Sequence, residues 1–118
     1  MSEAWKSYPG APVPGFVLCA LVDVPDGGSY SVNIGDFPVL LARRGEDVWA
    51  YVNACPHQFL PLDWRQEDVV TSDGNKLMCS NHDATFEIET GRGVGGFGQG
   101  CALDPVPVRF EDGQILIA

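Results

Sequence analysis

Two short segments, Cys55-Pro56-His57 and Cys79-Ser80-Asn81-His82, each pair a thiol with an imidazole in the same chain order. Between them they use both histidines and two of the four cysteines of a 118-residue chain. If both pairs serve one centre, two tight loops that are far apart in the chain must meet. That requirement constrains the fold more than any other feature of the sequence.

The chain is long enough for one domain with one modest core, and it is read as a single domain over 1–118. Apolar residues make up 45% of it, too many for a disordered segment. Sixteen acidic against seven basic side chains give a formal net charge of −9. Such a balance argues against binding nucleic acid or an anionic membrane surface, and favours a partner with a basic docking patch. The longest early apolar run, Phe16 to Val22, is far shorter than the roughly 20 residues needed to span a bilayer. With no positive leader before it beyond Lys6, the expected location is cytoplasmic.

Residues 1–15 hold Pro9, Gly10, Pro12, Pro14 and Gly15 and read as an irregular lead-in. Phe16–Val22 reads as a strand closed by Asp26-Gly27-Gly28. Phe37–Ala42 and Val48–Val52 flank Arg43-Arg44-Gly45-Glu46-Asp47 as a hairpin. Residues 65–75 read as a polar surface loop ending in Ser72-Asp73-Gly74-Asn75. Lys76–Met78 leads into the second Cys/His motif, and Phe86–Glu89 leaves it with strand alternation. Val106–Phe110 and Gln114–Ile117 form a last hairpin across Glu111-Asp112-Gly113. Nowhere do apolar residues recur at helical spacing, and nine prolines and fourteen glycines punctuate short runs, so the fold class is all-β.

Two Cys/His pairs can serve several ends. Structural zinc sites draw on C-x₂₋₄-C knuckles or a helix carrying H-x₃₋₅-H, whereas here each pair is mixed and hangs from a hairpin. Two disulfides would suit an oxidising compartment and would leave the matched histidines unexplained. A [2Fe–2S] cluster with two thiolates on one iron and two imidazoles on the other accounts for both pairs. One such cluster per chain, held by Cys55, His57, Cys79 and His82, is the expected cofactor.

The same residues resemble the Rieske proteins, whose pattern is C-x-H, a spacer, then C-x-x-H. Leu62-Asp63-Trp64, Phe86, Thr90-Gly91 and the closing Pro-Val-x-x-x-x-Asp-Gly hairpin extend the likeness, which runs from about residue 16 to 117. The resemblance implies an antiparallel β-sandwich with cluster loops at 55–62 and 79–86 at one tip, covered by a Gly-rich loop at 91–100. It also implies that Cys55 and Cys79 bind the inner iron, and His57 and His82 the outer, solvent-near iron.

This chain departs from that pattern in places. Twenty-one residues separate His57 from Cys79, a long spacer for the family. Asp83 replaces the usual Gly after the second ligand His, and Gly96-Phe97-Gly98 replaces a Gly-Pro pair, with Phe97 as the covering side chain. High-potential members have a loop-bracing disulfide and Ser and Tyr hydroxyls near the cluster. Leu60, Asn81, Ala84 and Phe86 stand at those positions here. Hydrogen bonds to the sulfurs raise the potential, so the resemblance implies the low end of the Rieske range, near roughly −150 mV.

Gly91-Arg92-Gly93-Val94-Gly95-Gly96 fits a dinucleotide fingerprint, but that motif needs a following helix and Asp104-Pro105 breaks any such helix. Cys19 and Cys101 read as small buried hydrophobes on strands, and Trp49, Tyr51 and Phe110 as core. Trp64 reads as packing beneath the cluster and Pro56 as stiffening its loop. Arg65, Lys76 and Arg92 are either solvated charges or docking residues. No histidine is left for a mononuclear iron site, and no nucleotide-binding unit is present. The expectation is a monomeric electron carrier, not an enzyme, that docks transiently between a reductase and a terminal oxygenase. The rival readings are a small Rieske-like subunit of a larger oxidoreductase such as a nitrite reductase, or a zinc module.

Overall fold

An apolar run without polar alternation, Phe37 to Ala42, builds the strand around which the other elements are arranged. The computed structural model describes residues 4–54, 61–63, 68–71, 73–80, 84–95 and 101–118. Among the described residues there are nine strands: β1 Val17–Ala20, β2 Ser29–Ile34, β3 Phe37–Arg44, β4 Asp47–Val52, β5 Lys76–Met78, β6 Thr85–Glu87, β7 Gly93–Gly95, β8 Val108–Glu111 and β9 Gln114–Ile117. They form three antiparallel sheets in the orders β1-β9-β8, β2-β3-β4 and β5-β6-β7. Among the described residues there is no α-helix, only two short 3₁₀ turns at Ala4–Ser7 and Leu21–Asp23.

Successive side chains on a strand point to opposite faces, and on β3 both faces are covered. Leu40 and Ala42 join a core with Tyr51, Leu62, Leu77, Cys79, Phe86, Ile88 and Leu103. Phe37, Val39 and Leu41 join a second core with Trp5, Val24, Ala50, Val52, Ile115 and Ile117. The β3–β4 register agrees, since Leu40 faces Tyr51 in the first core and Leu41 faces Ala50 in the second. Val39, Leu40, Leu41 and Ala42 are each 0% exposed, so the run needs no polar face. The central sheet thus shares one face with β5-β6-β7 and the other with β1-β9-β8. Backbone bonds from Val52 N to Asp104 O (2.9 Å) and Val106 N to Ala50 O (2.8 Å) tie β4 to the segment leading into β8.

The structure differs from the sequence-based expectations in several places. The strand β2 was not anticipated, although Tyr30, Val32 and Ile34 alternate with serine and asparagine. The β3–β4 connection is the two-residue turn Gly45-Glu46 rather than a five-residue loop, because Arg44 still pairs with Asp47. The lead-in is not merely irregular: it turns at Ala4–Ser7 and seats Trp5, 2% exposed, edge-on to Phe37 at 6.4 Å. Part of the Gly-rich stretch is the strand β7 rather than a loop, paired to β6. Within 65–75, Val69 is buried and its carbonyl accepts from Met78 N at 2.8 Å, so this segment is joined to β5. Phe110 is 49% exposed and is not core. The last hairpin closes through Asp112-Gly113, both at positive φ (52° and 78°), the geometry that suits the twist of a two-residue turn.

Gly91 and Gly74 have nearly equal φ, +77° and +74°, in different surroundings. A Cβ on Gly91 would lie 2.6 Å from Tyr51 Cε1, whereas one on Gly74 meets nothing within 4 Å. Gly74→Ala is expected to cost about 1–2 kcal/mol for the left-handed conformation alone. Gly91→Ala should cost a further 1–3 kcal/mol or so for overpacking. Urea unfolding of the two variants beside the parent reads the difference, and equal losses would contradict the packing argument.

Candidate metal centre

β4 and the β5–β6 hairpin deliver the two Cys/His segments. The first follows β4, after Asn53 and Ala54, and the chain is described again from Pro61. The second begins at Cys79, directly after β5, and the ladder continues one step past the strands through a bond from Cys79 N to Ala84 O (2.8 Å). Of the four expected ligands, the structure places Cys79. Cys55, His57 and His82 lie outside the described residues, as do Pro56, Leu60, Trp64, Arg65, Asn81, Asp83 and Phe97.

Cys79 is 0% exposed and belongs to the core between the central and third sheets. Ala84 and Phe86, where the high-potential pattern has hydroxyls, are also 0% exposed and pack in that same core. Cys79 shares this core with Leu62, Leu77, Ala84 and Phe86, and neither position 84 nor position 86 carries a hydroxyl. Of the donor set expected from sequence, the described residues supply the buried thiol of Cys79 at the base of the second segment.

The two loop bases are bonded to each other. Asn53 Oδ1 accepts from Leu62 N at 2.8 Å, and Asn53 Nδ2 donates to Asp63 Oδ1 at 2.9 Å, so this amide closes the first loop. The carbonyl of Leu62 then accepts from both the amide (2.9 Å) and the hydroxyl (2.7 Å) of Ser80, beside Cys79. Sequence reasoning singled out none of Asn53, Leu62 or Ser80 for this part. The signal was faint: a polar residue between a strand and a ligand, and a hydroxyl next to one.

The spare cysteines differ. Cys19 is half-buried on β1, and burial, then the nearby Asp23 carboxylate, push its thiol up to about 11. Cys101 is exposed, which corrects the expectation of a buried position, and neither residue is in a disulfide. Lys76 and Arg92 are both engaged on the surface, with Asp73 at 3.3 Å and Glu87 at 3.1 Å. No helix among the described residues is long and apolar enough to cross a membrane.

Comparison with known proteins bears on the family and the fold. The Rieske [2Fe–2S] domain model matches residues 15–103. A Xanthobacter autotrophicus protein named "alkene monooxygenase system, ferredoxin component" is 33% identical over 100 residues, covering 85% of this chain and 77% of that one. The ferredoxin of carbazole 1,9a-dioxygenase from Nocardioides aromaticivorans IC177 superposes with a TM-score of 0.75 at 20% identity, over 90% of this chain and 98% of that one. The Sphingomonas yanoikuyae B1 ferredoxin gives 0.73 at 25% identity, over 87% and 96%. The expected all-β sandwich is the fold these chains share.

Tyr51 belongs to the same core as Cys79, and its hydroxyl donates to Ile88 O at 2.8 Å. Burial, and next the Glu89 and Glu87 carboxylates, raise its phenol well above the usual range. Tyr8 is raised to about 12, chiefly by the bond it donates to Asp104. Both folded-state values exceed the unfolded value of about 10. Their contribution to stability is therefore complete below pH 10 and is lost as pH rises through the folded values. The melting temperature should fall steeply above pH 10, and Tyr51→Phe should show a shallower alkaline fall after losing about 1 kcal/mol at neutral pH. Parallel alkaline curves for parent and variant would contradict this account.

Proposed function

Because this chain belongs to the Rieske [2Fe–2S] domain family, we propose that it is a ferredoxin, a carrier that passes single electrons from a reductase to a terminal oxygenase. Cys55 and Cys79 would hold the inner iron and His57 and His82 the outer one, with one cluster per chain. When bound, the cluster supplies reversible one-electron chemistry, and the chain's own residues set where it sits and how hard it is to reduce. The observation that carries this reading is the junction at Leu62, where the bases of both Cys/His loops are bonded together. The ferredoxin named as a component of an alkene monooxygenase system supports the choice of an oxygenase as acceptor.

Charge supports a transient partnership. Arg44, Lys76, Arg92 and Arg109 each pair with a carboxylate of this same chain, so the excess of acid is what the surface offers. A partner with a basic patch would be steered to it, and the encounter would weaken with salt. If the histidines hold the outer iron, as the family resemblance implies, that side of the centre would give the shorter path to the partner's redox group. We place the carrier in the cytoplasm as a monomer.

Iron-loaded protein should be red-brown, accept one electron per cluster from dithionite, and then give a [2Fe–2S] EPR signal with the lowered mean g-value of histidine-ligated clusters. A colourless protein, an all-cysteine signal or silence would overturn the proposal. Stable co-purification with a large catalytic chain would move it to the subunit reading instead.

The potential is expected at the low end of the family, near roughly −150 mV. Phe86→Tyr and Ala84→Ser restore hydroxyls at the two buried positions. A hydrogen bond stronger by about 1 kcal/mol to the reduced state corresponds to about 40 mV for one electron. Redox titration should show an upward shift of that order in each variant, and no shift in either would contradict the assigned positions.

A further inference from the structure

We propose that Asn53 is a positioning residue for the cluster: it fixes the span of the first ligand loop and, through Leu62, docks that loop on the second. The inference rests on the cluster-carrier reading above. Asn53 and Ser29 are the buried polar residues among those described, at 3% and 7% exposure. Ser29 accepts from Val69 N, remote from the ligands in sequence. Asn53 stands two positions before Cys55.

Its three contacts run in different directions. Its backbone amide donates to Pro38 O at 3.0 Å, fixing it to the start of β3 in the central sheet. Its side-chain oxygen takes Leu62 N and its side-chain nitrogen meets the Asp63 carboxylate. The amide's orientation follows from chemistry, because a backbone N–H only donates and a carboxylate only accepts. These bonds reach nine and ten residues along the chain, so this is not the local turn that an Asn usually caps. From Leu62 O, two more bonds reach eighteen residues on to Ser80.

The outcome is a chain of fixed points from the central sheet, through Asn53 and Leu62, to the residue beside Cys79. No expected ligand side chain takes part in it. An Asp at 53 would keep the acceptor for Leu62 N and set a second carboxylate against Asp63. An Ala would leave the buried Leu62 N–H with no acceptor from residue 53. Loops so loosened would present their ligands less firmly, and both retention of the cluster and its spectrum would report that.

The test uses iron-loaded protein with Asn53→Ala, Asn53→Asp and Ser80→Ala. Tyr51→Phe serves as a control that removes a buried bond elsewhere in the same core. Visible absorbance follows loss of the cluster, EPR of the reduced protein gives g-values and line widths, and thermal melting gives overall stability. Asn53→Ala should lose its cluster at least tenfold faster, with shifted g-values or broadened lines. Asn53→Asp and Ser80→Ala should lose it at least threefold faster in the same direction, and they carry the test should Asn53→Ala fail to fold. Tyr51→Phe should melt lower with a parental spectrum.

Parental half-lives and g-values in the position-53 and position-80 variants would overturn the inference. So would faster loss with an unchanged spectrum and the control's pattern of melting, which is that of a merely structural bond. If the parent itself gives no histidine-ligated [2Fe–2S] signal, the functional reading fails first, which separates the two failures.

Discussion

Burial of the central sheet on both faces is the constraint on which the rest of the structure depends. Four consecutive residues of β3, Val39 to Ala42, are removed from water, and no single sheet could cover them all. The odd-numbered ones need β1-β9-β8 behind them, and the even-numbered ones need β5-β6-β7 in front. At roughly 1.5–3 kcal/mol for each fully buried large aliphatic side chain, these residues dominate the stability of a small domain. The third sheet therefore docks because Leu40 and Ala42 must be covered, and the second Cys/His segment arrives with it. The first arrives on β4, which is paired to β3. The meeting of the two loop bases, through Asn53, Leu62 and Ser80, is thus a consequence of core formation rather than of anything a cluster must supply.

The same packing sets the surroundings of Cys79. Cys79, Ala84 and Phe86 share one apolar core, where charge is poorly solvated. An electron added near such a core gains little from hydroxyl dipoles, since neither position carries one. The surplus of carboxylates on the surface acts in the same direction, more weakly because solvent and salt screen exposed charges. Burial therefore dominates the expected low potential, and the surface charge chiefly governs how a partner finds the protein.

Much of this was legible in the sequence, for reasons that differ from residue to residue. The β3 run and the Asp112-Gly113 turn were readable because a two-face-buried strand and a positive-φ turn each leave a mark on local composition. The candidate ligands stand out in the sequence because thiol–imidazole pairs at matched order have few other uses, and of the four the described residues include Cys79. β2 escaped because its alternation is carried by serine and asparagine, residues more typical of turns. Phe110 misled because an aromatic at strand period says which face it is on, and not whether that face is covered at the end of an edge strand. Gly93–Gly95 reads as a loop by composition and pairs as a strand only because Thr85 and Phe86 present an open edge to it. Asn53 was invisible because its importance lies in bonds to Leu62 and Asp63, which the sequence does not place beside it.

A one-electron carrier gains from a site whose geometry is the same before and after the electron arrives, since any rearrangement adds to the barrier. Polar groups already held in place meet that need better than groups that must reorient. The junction of Asn53, Leu62 and Ser80 is made of backbone groups, an amide and a hydroxyl, and the single charged member, Asp63, sits at its half-exposed rim. The neutral bonds among Asn53, Leu62 and Ser80 respond little to a change of one charge nearby, whereas a buried ion pair at the same place would favour one oxidation state over the other. The choice of an amide at position 53 rather than a charged clamp is therefore consistent with a protein that must be loaded and emptied repeatedly.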